Sequence, residues 1–336
     1  MERYQALGVS PDTLTGGDIT KIIYAHDIHR LEQVLSQYLK FKESVWILFD
    51  NLDKGWSTGG VSKEDILILR SLISAARKLK RDLEDKYVNI HSVIFVRNDV
   101  YELLMEGTAD FGKEMRANLD WTDKRQLEEL LRRRFEFGNP IFKAKPIDEI
   151  WKYLFEGADD KRLSPEYLLG LCMLRPRNLI KLFQHCKGLA VNAGHDKIRA
   201  EDVSDALKAY SRDVVTEINR EIVDVFPKAH KVLYDFVGES DTFTHEDLKV
   251  LGELRGMSVA ESEKIIELLL YYGVLGLKQK DGEPTIYIYD TQYDMEILSA
   301  LVRKAGGAAL YNINPALRPI LMIKAAEKER QQQLSL

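Results

Sequence analysis

The sequence predicts a chain of mixed class, an α/β part followed by an all-α part and then a smaller part of helices and a hairpin. Three observations predict it. Apolar runs at 45–49 and 91–96 alternate with amphipathic helical patterns as far as Gly138, the alternation expected of a parallel α/β sheet. Residues 146–222 keep helical periodicity with only short polar joints, as in a compact bundle. From residue 226 three helical patterns lead into a hairpin pattern.

Residues 18–40 predict a first helix, with Ile22, Ile23, His26, Leu31, Val34, Leu35 and Tyr38 near helical spacing. The strand 45–49 follows. A glycine-rich break, KGWSTGG, leads into a long amphipathic helix over 62–84, signalled by Ser62 with Glu64 and Asp65 in its first turn. HSVIFV, 91–96, predicts a second buried strand, and VYELLMEG a short helix. RANLDW, 116–121, suggests a further short strand. Thr122 is expected to cap the helix DKRQLEELLRRRFEFG, which stops at Gly138.

The pattern changes at Asn139–Pro140. Helices are expected over IDEIWKYLFEG, from Ser164–Pro165, over RPRNLIKLFQHCKGLAVNAG, and from Ala200 through AEDVSDALKAYSRDVVTEINREI. Next, FPKAHKVLYDFVGE, THEDLKVLGELRG and SVAESEKIIELLLYYGVLG read as three helices. GLKQKDGEPTIYIYD reads as a hairpin turning at Asp281-Gly282. Three helices and a hairpin outline a winged helix. The expected division is therefore 1–138, an α/β core; 139–222, a helical bundle; 223–290, a winged helix; and 291–336, a mixed extension closing in the helix LRPILMIKAAEKERQQQ.

Composition narrows the function class. The chain has 336 residues, 45% apolar and 30% charged, the mix of a globular protein. Its net charge of −5 carries no global signal for nucleic acid. No run of 18 apolar residues and no signal-peptide core occurs, so neither a membrane span nor secretion is expected. Cys172 and Cys186 lack pairing or metal-ligand spacing and read as reduced core residues of a cytoplasmic protein.

Residues 46–56, WILFDNLDKGW, carry the chemistry. An apolar strand runs straight into Asp50, then Asn51 and Asp53. The plain reading is a strand leaving the core into a polar turn. The chemical reading places a carboxylate at the carboxyl end of a parallel strand, where α/β sheets bind ligands.

Four stretches in this order resemble the AAA-like and STAND-like P-loop ATPases of prokaryotes, in which an α/β core precedes a helical lid and a winged helix. WILFDNLDKGW resembles the Walker B strand of the subgroup with a D-x-L-D-x-G-W signature, and HSVIFVRND the sensor 1 strand. LDWTDKRQLEELLRRRF is similar to the helix leading to the lid, and RPRNLIKLF to the sensor 2 helix. The resemblance implies ATP and Mg²⁺ as cofactors, with Asp50 as the Mg²⁺ partner. One departure stands out: no G-x-x-x-x-G-K-[ST] occurs in the chain. That loop cradles phosphates on backbone N–H groups and supplies a lysine. TGGDITK and STGGVSK lack its spacing. The resemblance then implies a chain that begins within an ATPase domain and hydrolyses ATP only when a phosphate loop is supplied by an upstream segment or a partner. The alternative is a non-catalytic interaction module built on the bundle and winged helix.

Each candidate residue has two readings. Asn51 holds the slot of a catalytic Glu, and an amide is no general base. Asp53 either polarises the attacking water or caps the turn at Lys54-Gly55. Arg97 and Asn98, expected at the end of the second strand, either reach a γ-phosphate as the resemblance implies, or Arg97 pairs with Asp99 or Asp53. Arg132, Arg133 and Arg134 point about 100° apart on a helix; either one or two act as an arginine finger, Arg134 foremost, or the run is a solvated basic face. Arg175 and Arg177 flank Pro176 at a helix start, where the helix dipole and two guanidiniums make an anion site; the other reading ties them to acids of the bundle. His26 and His29 show no third ligand.

The winged helix does not read as a DNA binder. Its third helix carries Glu261, Glu263 and Glu267 against Lys264, and residues 220–320 hold 16 carboxylates against 11 cations. Phosphate requires the opposite sign. A protein partner or self-association is expected instead, the latter because an incomplete sheet exposes apolar surface.

Overall fold

A computed structural model describes residues 28–52, 61–84, 89–105, 116–119, 121–157, 160–279 and 283–324. They form two compact units, the described residues up to 105 in one and those from 116 in the other.

The first unit runs α1 (His29–Leu39), β1 (Ser44–Phe49), α2 (Lys63–Glu84), β2 (Asn89–Ile94) and α3 (Asn98–Met105). β1 and β2 pair in parallel, Ser44 opposite Asn89 through Phe49 opposite Ile94. This is the expected parallel α/β connection, with a helix between its two strands. Ser62 begins α2 as expected: its Oγ accepts from the Asp65 N–H at 3.1 Å, and the Asp65 carboxylate accepts from the Ser62 N–H at 3.0 Å. Leu69 and Ile73 of α2 and Val100 and Leu104 of α3 are buried together, with Ile94 against them. Leu39 of α1 is buried with Ile90, against Val45 and Ile47. In this register Val45, Ile47, Ile90 and Ile94 share one face of the sheet.

Several local expectations are corrected. The second strand lies two residues earlier than 91–96, because its register with β1 starts at Asn89. Asn98 therefore does not end a strand; it opens α3. Residues 116–119 are irregular, not a strand. Asp123, not Thr122, caps the next helix, its Oδ1 accepting from the Arg125 N–H at 2.9 Å.

The second unit begins with α4 (Lys124–Gly138), α5 (Ile147–Leu154), α6 (Pro165–Gly170), α7 (Pro176–Asn192) and α8 (Ala200–Val225). Sequence reading groups α4 with the α/β part. Its Leu127 and Leu131 are instead buried in the core of the helices that follow. Aromatic packing organises that core: Trp151 stacks on Phe155 at 4.5 Å, and Phe183 meets both edge-on. Trp151 donates to the Leu163 carbonyl at 2.6 Å and Tyr210 to the Leu171 carbonyl at 2.7 Å, so neither polar atom is orphaned. Cys172 and Cys186 are buried and free, as expected, and burial raises their thiols to about 11 and about 12.

The chain continues through β3 (Thr242–Thr244), α9 (His245–Leu254), α10 (Val259–Tyr271), β4 (Leu275–Leu277), α11 (Met295–Ala305), β5 (Leu310–Ile313) and α12 (Arg318–Leu321). The predicted helix over FPKAHKVLYDFVGE is instead two 3₁₀ turns, Pro227–Ala229 and Val232–Phe236, parted by Lys231 at φ 59°. A residue in the left-handed region ends any helix that reaches it. The expected hairpin is reduced to one antiparallel bridge, Leu277 with Ile286; its Asp281-Gly282 turn lies outside the described residues. β4 pairs along its length with β5, and β5 also pairs with β3, giving the antiparallel order β3-β5-β4. The segment from 291 thus supplies the middle strand of the sheet. One hydrophobic core runs from Leu127 to Leu321, so the segments divided at 222 and 290 by sequence fold as one body. Among the described residues no helix is long and apolar enough to cross a membrane.

Candidate functional site

Asp50 follows the last residue of β1 and is exposed. The Phe95 N–H donates to the Phe49 carbonyl at 2.9 Å, extending the pairing to the point where Asp50 leaves it. Asn51 turns there at φ 56°, a conformation asparagine tolerates, and its N–H donates to Asp50 Oδ1 at 2.8 Å. A strand, a register and a left-handed asparagine thus present one carboxylate at the carboxyl end of a parallel pair. Asp53 lies outside the described residues, as do Trp56 and His26.

Arg97 and Asn98 reach the same end of the sheet from β2. Arg97 donates through Nε to Asp99 Oδ1 at 3.1 Å and through Nη2 to Asp99 Oδ2. Asp99 is buried, and a buried carboxylate needs such a charge-assisted fork. The pairing reading of Arg97 is therefore realised, and Asn98 is exposed on the first turn of α3.

The candidate arginines of the second unit form two groups. Arg175 is the residue before α7 and Arg177 its second position. Arg175 Nη1 donates to Glu221 Oε2 at 3.2 Å. Burial, the largest influence, opposes its charge, yet Glu221 first among its neighbours holds its pKa above the usual value. Arg177 is exposed. Beside them Asn178 is buried, and its Nδ2 has no hydrogen-bond partner; the same is true of Asn219 Oδ1 on the facing helix α8. Two consecutive residues, Met173 and Leu174, approach α7 at φ 54° and 51°. Strain of this kind collects at functional turns.

Arg134 is exposed on α4 and lines a shallow depression of about 380 Å³ with Trp121, Gln126, Glu129, Leu130 and Arg133. Arg132 and Arg133 both donate to Glu129; Arg132 first, then Arg133, holds its carboxyl down at about 2. Two of the three consecutive arginines are thus spent on an internal ion pair.

Sequence reading missed Glu221 and Asn178. Glu221 belongs to a ladder between the antiparallel α7 and α8: Arg175 with Glu221, Lys181 with Glu217, and His185 with Asp213 at 2.9 Å. Asp213, Glu217 and Glu221 recur every fourth residue, and that acidic stripe was the available signal. Nothing in the sequence marks Asn178.

Among the described residues no three His, Cys, Asp or Glu side chains gather as a metal site. Asp50 alone offers one exposed hard oxygen pair, which suits Mg²⁺ only where waters and phosphate oxygens complete six-fold coordination.

The second α-helix of the sheet-bearing part, α10, has its carboxylates engaged from within: Glu261 by Lys228, Glu263 by His245 and Lys249 at 3.1 Å each, and Glu267 by Lys264 at 3.1 Å. Residues 125–219, from α4 into α8, match the family described as the FunZ-associated C-terminal helical domain. No curated protein and no solved structure matches the chain.

Proposed function

We propose that the first unit is the distal part of a P-loop-type nucleotide crevice, with Asp50 as its Mg²⁺-side carboxylate, in a regulatory or defence-type ATPase. The observation that carries the reading is the exposed Asp50 at the carboxyl end of a parallel strand pair, where ligands of such sheets bind. No G-x-x-x-x-G-K-[ST] occurs among these 336 residues, so on this reading hydrolysis requires a phosphate loop supplied in trans or by another segment. Asp53 stands as the residue that polarises water, Asn98 as a polar group on the first turn of α3, and Arg97 as the partner that holds Asp99. The resemblance offers Arg134, Arg175 and Arg177 as further nucleotide-contacting cations, of which Arg175 is paired with Glu221. Mg²⁺, when bound, supplies charge neutralisation at the β- and γ-phosphates; this chain's own part is to hold one carboxylate on a rigid strand end.

The test is a Mn²⁺ titration followed by backbone NMR. Paramagnetic broadening is expected first at residues 50–51 and 95–98, and Asp50→Asn should abolish it. Broadening that starts elsewhere, or survives Asp50→Asn, removes the reading. Calorimetry of Mg-ATP on the chain alone is expected to show weak or no binding; tight binding would contradict the missing loop.

The second reading, a non-catalytic interaction module containing the winged-helix part, is favoured by one observation: Arg97 and Arg175 are already paired with Asp99 and Glu221. Double-stranded DNA is a poor fit to either reading, since α10 presents carboxylates. Binding to a duplex that weakens steeply with salt would reverse that conclusion.

A further inference from the structure

The first unit carries two apolar surfaces that none of its own described residues covers. The first is on α1. Leu31, Val34, Leu35 and Tyr38 fall at i, i+3, i+4 and i+7, the spacing of a core-facing stripe, yet all four are exposed. Phe41 continues the line just past the helix and is also exposed. The helix touches its own sheet through Leu39. The second surface is the sheet. Both Leu39 of α1 and the α2–α3 cluster pack on the face of Val45, Ile47, Ile90 and Ile94. On the opposite face Trp46 and Leu48 are exposed, with Phe95 in line behind His91 and Val93. Trp46 stacks on His91 at 4.3 Å and still shows most of its surface.

Parallel sheets are covered by helices on both faces, because their strands are apolar on both. A bare parallel face calls for an amphipathic helix, and this unit holds an amphipathic helix whose stripe calls for a sheet. Both halves of one missing layer are present in the same chain. We propose that the chain self-associates head to tail: the α1 stripe of one copy covers the Trp46–Leu48 face of the next. Such a contact is heterologous, so it propagates or closes a ring, and does not stop at a two-fold pair.

The area fits a real but weak contact. These eight residues are between 43% and 85% exposed. At roughly 200 Å² for an aromatic and about 100 Å² for an aliphatic side chain, the junction buries on the order of 700 Å² of apolar side chain. With the polar rim that interfaces carry, the total reaches roughly 1,200 Å², the lower limit of standard-size interfaces. Association in the micromolar range follows, independently of whether the chain binds nucleotide.

The experiment uses the full chain and two surface variants, Val34→Glu on the helix and Leu48→Glu on the sheet, followed by sedimentation velocity at tens of micromolar (about 10–100 µM, the range set by the area). Wild type is expected to form concentration-dependent species larger than a dimer. Each variant keeps one working surface and lacks the other, so each alone should be monomeric, with association weakened by roughly 30-fold or more. Mixed one to one, the intact helix of Leu48→Glu should dock on the intact face of Val34→Glu and give a capped heterodimer that goes no further. Circular dichroism of each variant checks that it is folded; both positions are exposed, so neither substitution touches a core. A wild type that stays monomeric, variants that still assemble, or a mixture that fails to pair while both variants keep wild-type circular dichroism would overturn the proposal.

Discussion

Glu261 occupies the third position of α10, where it accepts from the Ser258 N–H at 2.9 Å while Ser258 Oγ faces its own N–H. This is a capping box, and Lys228 adds a charge-assisted hydrogen bond. Lys228 first, then Ser258, lowers the Glu261 carboxyl from 4.5 to about 2. A carboxylate whose pKa falls on folding stabilises the fold above its unfolded pKa, and the contribution disappears as pH drops through the folded one. The window here runs from pH 4.5 down to about 2. Carboxyl ¹³C NMR should find Glu261 still ionised at pH 3.5 (roughly one unit below a free Glu), and Glu261→Gln should flatten the acid limb of the stability profile. A titration midpoint near that of free Glu would show the cap absent. At this scale the sequence displayed the candidates without their partners. Asp99, two residues from Arg97, could be named in advance; Glu221, 46 residues from Arg175, could not, because only the antiparallel α7–α8 packing brings them together.

Between elements, α9 and α10 approach closely at Gly252 and Ser262. A Cβ placed on Gly252 would lie 2.2 Å from Ser262 Oγ and 2.7 Å from its Cβ. Ser262 is buried, and its Oγ has no hydrogen-bond partner, so no solvent-facing rotamer relieves the overlap without moving a helix. Gly252→Ala should therefore destabilise the second unit by about 1–3 kcal/mol, despite alanine's better helix propensity. Ser262→Gly opens the space and should recover much of that loss, a coupling read from a double-mutant cycle by chemical denaturation. Equal midpoints for wild type and Gly252→Ala would mean the helices part freely. The helices flanking this contact were legible from periodicity. The three-residue β3 was not: TFT is too short to show a period, and its partner strand lies some 70 residues on, at Asn312. The same long-range pairing hid the role of β5, while a single left-handed residue, Lys231, broke a helix that periodicity alone would continue.

Across the whole chain, burial is unequal. Among the described residues, the first unit shows a cluster of four buried residues, Leu69, Ile73, Val100 and Leu104, and the pair Leu39 and Ile90. The second has one core running through α4 to α12, with Leu127, Trp151, Leu179, Tyr210, Phe236, Leu269 and Tyr311 among its members. Conformational entropy scales with the residues ordered, whereas burial here does not, so the two units cannot share one opening free energy. Hydrogen–deuterium exchange should show amides of Ala200–Val225 exchanging only through global unfolding of their unit. Those of Ser44–Phe49 and Asn89–Ile94 should exchange through a cheaper opening, faster by roughly 100-fold or more for every 3 kcal/mol of difference. Equal protection in β1 and α8 would contradict this. The sequence disclosed the alternation that makes the sheet but not its bareness, since Trp46 and Leu48 read as core in an apolar run and only the placement of the helices on one face shows them uncovered. If copies of the chain cover that face for one another, protection should be concentration-dependent in one place. Raising the protein from about 1 to about 100 µM, across the expected association range, should slow exchange in α1 and β1 and leave α7 and α8 unchanged, because only a contact that buries the first surfaces adds to their opening free energy.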